Sequence, residues 1–219
     1  EEFRNFDAYL ERGGNLFILG EPKRQQFMNP VIERLGLRFA DGIIVSPSEV
    51  NLDDLVAANI KEGAAKVSEN YIRYFRSGYS IMTPSACAVE VIDSAKGFEI
   101  TEVLASAGKG SWVEKETTDF INEKSVLNPA VGEVEKSNSI MLYLTRPVNN
   151  KEQRIFVIGD ADCISNGEVS IYRKTVKASN FAVIAGVFYW LSDGEAPIDI
   201  RRPVPPDDTV YLSQRAMNG

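Results

Sequence analysis

The order of elements in the sequence predicts an α/β fold, a mostly parallel sheet with helices on both faces. Three observations carry this expectation. An amphipathic segment at residues 2–10 passes through glycine into a short apolar strand at 16–19, and a second helical segment follows it. Strand-like runs bounded by turn residues then recur as far as residue 158. Finally, an apolar helical segment at 180–191 closes the alternation.

Each element has its own justification. Phe3, Phe6 and Leu10 fall at i, i+3 and i+7, one face of a helix. Arg12-Gly13-Gly14 ends it, because glycine adopts the left-handed C-cap conformation without a Cβ clash. Leu16-Phe17-Ile18-Leu19 is continuously apolar, which suits a strand covered on both faces. Gly20-Glu21-Pro22 turns the chain, and Asn29-Pro30 opens a helix with proline at its first position, running to Leu35 and stopped by Gly36. Residues 43–45 read as a strand; residues 55–60 do too, although so short a run also suits a short helix.

Residues 64–75 read as a helix with Val67, Tyr71, Tyr74 and Phe75 on one stripe, ended by Gly78. Strands follow at 79–82 and 98–104. The runs 140–144 and 154–158 are the sharpest strands, separated by a polar turn at 148–153 that also marks a weak boundary. Asn180 is placed to cap a helix through Leu191 that is apolar almost all round, and so should be packed between layers. These elements make a single α/β domain at 1–200, followed by a proline-rich extended tail or linker at 201–219 that begins RRPVPPDD.

Composition narrows the function. The 219 residues are 44% hydrophobic, enough to bury a sizeable core. With 24 Lys+Arg against 31 Asp+Glu the net charge is −7, so a phosphate backbone meets repulsion and no nucleic-acid partner is expected. The absence of histidine removes Ser-His-Asp triads, Cys-His pairs and His-ligated zinc. The apolar run at 181–191 is 11 residues, short of the roughly 20 a spanning helix needs. Opening without methionine or a leader-like segment, the chain reads as an excised part of a longer protein.

Chemistry-bearing residues are few. Asp160, Asp162 and Asn166 follow a strand directly, where ligands collect in open α/β sheets. Such residues also build turns by accepting from nearby amides, and they suit oxygen-ligated Mg²⁺ or Ca²⁺; a paired-carboxylate hydrolase would need one raised pKa. Cys87, among small residues after a strand, superficially resembles a nucleophile elbow but lacks a base. Cys87 and Cys163 read as two buried apolar residues or, in an oxidising compartment, as one disulfide. Gly108-Lys109-Gly110-Ser111 lacks the spacing of a phosphate loop. Trp112, beside Glu114, reads as core packing or as a pocket wall with an N–H donor. The aromatics Tyr71, Tyr74, Phe75 and Tyr79, interleaved with Arg73 and Arg76, would suit stacking on bases or sugars but at helical spacing read as core plus a solvated rim.

Four segments in order carry a family resemblance: YLERGGN before LFIL, residues 103–114 with Ser106 and Trp112, VIGDAD with Ser165-Asn166, and Asn180 leading to Trp190-Leu191. The chain from Phe3 to Leu191 resembles the auxiliary domain of uncharacterised ABC-type transport systems. That family includes the gliding-motility protein GldG and is related to a domain of intraflagellar-transport proteins. The resemblance implies a flavodoxin-like or class I glutamine-amidotransferase-like fold on the extracytoplasmic (periplasmic) face of a membrane. It also implies tethering through flanking segments and partnership with a membrane permease or other ABC-transport subunits; separately, no cofactor is expected. Amidotransferases use a Cys-His pair, so that chemistry is not expected in a chain without histidine.

The expected function is therefore a non-catalytic interaction or ligand-recognition domain. Glu21, Gln25, Trp112, Asp160, Asp162 and Asn166 are its candidate recognition surface, a cleft for a peptide, glycan or partner loop. The alternatives are a carboxylate- or metal-assisted hydrolase using Asp160 and Asp162, and a sugar or small-molecule sensor stacking its ligand on Trp112 or Tyr79.

Overall fold

Asn149 and Asn150 set the architecture. Both hold positive φ, 51° and 62°, a region that asparagine enters more readily than most residues. They reverse the chain in two residues between β9 (Ser139–Val148) and β10 (Lys151–Ile158). The two strands pair antiparallel from Val148↔Lys151 to Met141↔Ile158, as expected for a tight turn whose twist matches that of its strands. The polar stretch read as a weak boundary is thus a hairpin inside the main sheet.

The structure, a computed structural model, describes residues 2–171, 173–174 and 176–193, apart from the side chains of Glu69, Asn70, Phe75, Ala95 and Val183. The tail expected at 201–219, and the domain's expected end at residue 200, lie outside the described residues. Around the hairpin stand β1 (Leu16–Leu19), β7 (Glu99–Ala105), β4 (Leu55–Ile60) and β5 (Ser80–Pro84). The sheet order is β1-β10-β9-β7-β4-β5. β1 runs parallel to β10; every other pairing in this sheet is antiparallel.

The mostly parallel α/β sheet with helices on both faces is therefore overturned, and with it the flavodoxin-like and amidotransferase-like folds that the resemblance implied. The sheet is mixed and mostly antiparallel, and its helical cover is sparse. Alternation along the sequence does not say whether two strands meet through a hairpin or a crossover, and only crossovers make parallel neighbours. Two small antiparallel ladders complete the strands: β2 (Leu37–Phe39) with β6 (Val89–Val91), and β3 (Ile43–Val45) with β8 (Trp112–Glu114).

The period of two sorts the strand residues onto opposite faces. On one face Met141, Tyr143, Phe156 and Ile158 pack with Tyr71, Val187 and Trp190. The Trp190 ring lies 5.0 Å from Phe156 and 5.3 Å from Tyr143. On the other face Leu142, Leu144, Ile155 and Val157 pack with Leu10, Ile32, Leu35 and Phe39. Removing each such side chain from water contributes about 1.5–3 kcal/mol.

The helices are α1 (Glu2–Glu11), α2 (Gln25–Ile32), α3 (Glu69–Arg76), α4 (Asn166–Ser170) and α5 (Asn180–Leu191). Helix α1 ends at Gly13, whose φ is 82°. Helix α2 begins at Gln25, five residues before Pro30, so Pro30 lies inside it rather than opening it. Asn29 is spent otherwise: its carboxamide accepts from Phe39 N–H at 2.9 Å and donates to Phe39 O at 3.1 Å, tying α2 to β2. The helix expected over 64–75 is split into a 3₁₀ turn, Glu62–Lys66, and α3.

Two expectations for α5 also change. Ser179 is its N-cap and Asn180 its first helical residue. Val187 and Trp190 are buried, but Phe181, Phe188 and Tyr189 are 66%, 57% and 57% exposed. Against the described residues the helix lies on the surface rather than between layers.

Candidate functional site

β1 and β10 are adjacent and parallel, so both end at the same edge of the sheet, where the chain turns away at Gly20-Glu21 and at Gly159-Asp160. Gly20 N–H donates to Ile158 O at 2.7 Å, which fixes the two exits side by side. Behind them passes Cys87. Its N–H and its thiol both donate to Gly159 O, at 2.8 and 3.1 Å. The backbones are so close that a Cβ on Gly159 would stand 1.8 Å from Cys87 O. Glycine is required here by close approach, not by its φ.

Asp160 is 1% exposed. Its Oδ1 accepts from Asp162 N–H at 2.7 Å and Cys163 N–H at 3.2 Å, starting the 3₁₀ turn Asp162–Ile164. Its Oδ2 is buried and has no hydrogen-bond partner. Burial pushes the Asp160 carboxyl up to about 8; the two amides oppose this, and the charges of Asp162 and Glu21 add to it. Glu21 is exposed, and its carboxyl is raised by partial burial and by Asp162, with Arg24 pulling the other way. The structure thus brings Glu21, Asp160 and Asp162 within electrostatic reach of one another, and Asp162 faces solvent.

The other candidates are placed differently. Gln25 is buried, and its amide donates long bonds to Ala40 O (3.3 Å) and Gly42 O (3.4 Å), anchoring the start of α2. Asn166 is exposed at the start of α4, which is capped by Ser165 Oγ accepting from Glu168 N–H at 3.2 Å. Trp112 is not a pocket wall. It is buried in a separate cluster with Ile43, Val45 and Phe120, and its indole N–H donates to Glu114 Oε2 at 3.2 Å.

That cluster organises the long irregular segment after β8. Glu114 Oε1 accepts from the amides of Glu116 and Thr117 at 3.0 Å each. Glu133 accepts from Lys115 N–H at 2.9 Å and Asn128 N–H at 2.7 Å, and Asp53 from Ser125 N–H at 2.8 Å. Tyr79 stacks edge-on against Tyr74 and borders a cavity of about 600 Å³ with Ile171, Arg173, Lys174 and Lys177.

Cys87 and Cys163 are both free and buried. Burial, with the negative charge of Asp160 beside it, pushes the Cys87 thiol up to about 12, and the Cys163 thiol is raised likewise. Among the described residues, no three His, Cys, Asp or Glu side chains come together as a metal site. Sequence reasoning placed the carboxylates and the segment around Arg24 at this strand end but missed Cys87 behind Gly159. The small residues around Cys87 and the glycine directly after β10 are the signals of close backbone approach.

No protein-family model matches the chain, and no curated protein matches it. Among solved structures it is similar to one described as "mmIFT52 N-terminal domain", with a TM-score of 0.59 and 15% identity over 89% of this chain and 72% of that one. At this identity the likeness shows a shared fold alone. The expected kinship with an intraflagellar-transport domain is therefore met at the level of fold.

Proposed function

We propose that the chain is a non-catalytic recognition domain of a membrane complex of the ABC-transport or gliding type, held on the extracytoplasmic side. In this reading it engages a permease or another subunit through the acidic lip formed by Glu21 and Asp162. The four-segment resemblance supports the setting, and the fold likeness to the IFT52 domain is compatible with it.

One observation carries the non-catalytic part: carboxyls converge at the strand ends, and among the described residues nothing there would activate a nucleophile. The Cys87 thiol is held up near 12, and Asp160 is sealed off with its Oδ1 spent on the turn. Partial burial and the neighbouring Asp162 charge raise the cost of ionising Glu21 in the free protein, and a cationic partner loop would relieve it. Photo-crosslinking from position 162 of the full-length protein in its native membrane is the test. A crosslink to a permease subunit, weakened by Glu21→Lys, is the expected result. Amide or ester turnover abolished by Cys87→Ala would overturn the reading.

A further inference from the structure

We propose that two copies of this chain pair through the outer edge of β1, antiparallel about a two-fold axis. This does not depend on the acidic lip. The phase of the β1–β10 ladder sets the geometry. Gly20 N–H donates to Ile158 O, and Arg154 N–H, at the other end, donates to Asn15 Oδ1 at 2.8 Å. With Ile18 in register with Val157, the main-chain groups of Ile18 face β10, and those of Phe17 and Leu19 point away from it. Among the described residues these outward N–H and C=O groups have no hydrogen-bond partner.

The opposite edge is treated differently. There Ser80 N–H donates to Lys177 O at 2.8 Å and Ser80 O accepts from Ser179 N–H at 3.2 Å, while the Asn180 carboxamide occupies both main-chain groups of Met82. β5 is closed; β1 is open. β1 also lacks the devices that protect an edge strand: Leu16-Phe17-Ile18-Leu19 contains no lysine, proline or bulge.

A second, independent observation lies beside this edge. Phe188 of α5, 57% exposed, packs edge-on against Phe17 with ring centroids 6.2 Å apart. The open backbone edge is therefore flanked by an uncovered aromatic.

A second copy fits both features at once. With Phe17 opposite Leu19 of the other copy, the outward groups of each exchange N–H···O=C bonds in pairs centred on Ile18, because they recur at a spacing of two. A two-fold axis perpendicular to the sheet keeps both α5 helices on the same face, so the two Phe188 side chains meet over the junction. An unrelated strand would satisfy the backbone but would bring no matching aromatic.

Sedimentation of the full chain across micromolar concentrations tests this, together with two variants. Leu19→Pro removes one outward N–H, at a place where edge strands accept proline; Leu19→Ala removes the same side-chain contacts but keeps the N–H. Wild type and Leu19→Ala should dimerise with concentration, and Leu19→Pro should weaken the dimer by about tenfold or more, with unchanged circular dichroism. If Leu19→Pro fails to fold, hydrogen exchange of the wild-type Phe17 and Leu19 amides decides. Protection that appears only at dimer-forming concentration supports the pairing. A chain that stays monomeric, a dimer that survives Leu19→Pro, or amides already protected in the monomer would overturn it; the last would show that another part of the chain covers the edge.

Discussion

Asn180 and Met82 are paired as two neighbouring strands would be. The Asn180 carboxamide oxygen accepts from Met82 N–H at 3.0 Å, and its Nδ2 donates to Met82 O at 2.8 Å and to Cys163 O at 2.8 Å. A buried side chain thus stands in for a peptide unit at the edge of β5 and joins α5 to the turn after β10. Asn180→Ala leaves those main-chain groups unpaired in the interior, and each such loss costs roughly 1–3 kcal/mol. Denaturant unfolding should show a loss on the order of 3 kcal/mol. Asn180→Asp, which keeps the acceptor but loses both donated bonds, should be at least as damaging.

Gly159→Ala is expected to destabilise the protein by about 3 kcal/mol or more, at the severe end of overpacking, because the new methyl meets Cys87 O at 1.8 Å with backbone on both sides. The midpoint of urea unfolding reads this directly. An unchanged midpoint would mean that the segment around Cys87 gives way freely.

Asp160 makes stability depend on pH. Its folded pKa is raised to about 8 from an ordinary 3.8, so the folded protein keeps a proton that the unfolded chain releases between those values. The stabilisation is complete below about 4 and is lost as pH rises toward 8, at a limiting slope of ~1.4 kcal/mol per pH unit. Asp160→Asn should flatten this slope. Unfolding curves at several pH values in that window, for both proteins, check it.

Glu114 works in the opposite direction. Burial raises its pKa, but the amides of Thr117 and Glu116 and the Trp112 indole outweigh burial and hold the carboxyl below its ordinary value. The stabilisation it supplies is present above the ordinary carboxylate range and is lost as pH falls through the lowered value. Acidification, or Glu114→Ala at neutral pH, should loosen the segment after β8 and shift Trp112 emission to the red. Trp190→Phe leaves Trp112 as the sole reporter.

The two thiols should resist modification. Both are buried and protonated at neutral pH, so a thiol-reactive dye is expected to label neither in the native protein and both after denaturation. Fast native labelling of Cys87 would show that the segment behind Gly159 opens.

Residue types alone made several features legible. The pattern Phe3, Phe6, Leu10 ending in Gly13 gave α1, and apolar runs bounded by turn residues gave β1 and β4 to the residue, but only the apolar parts of β9 and β10, which run on through polar residues to the Asn149-Asn150 turn. Turn-forming Asp160 and Asp162 were expected at the end of β10, and there Asp160 accepts the two amides that shape the turn. Trp112 was legible only as packing or wall, because an indole buries or exposes the same atoms in either setting and only the Ile43–Phe120 cluster around it decides.

From its own order of residues, then, the chain determined where the strands of the main sheet lie, though not the short strands β2, β6 and β8, which carboxylates follow β10, and that it offers no imidazole. The tertiary structure alone decided how the strands are joined into a sheet. Periodicity reports which faces of a strand are covered and is silent about which neighbour its backbone bonds to. For that reason only the fold could show that the reversal at Asn149-Asn150 makes β9 and β10 antiparallel, that the Asn180 side chain closes β5, and that among the described residues no strand pairs with the outer edge of β1.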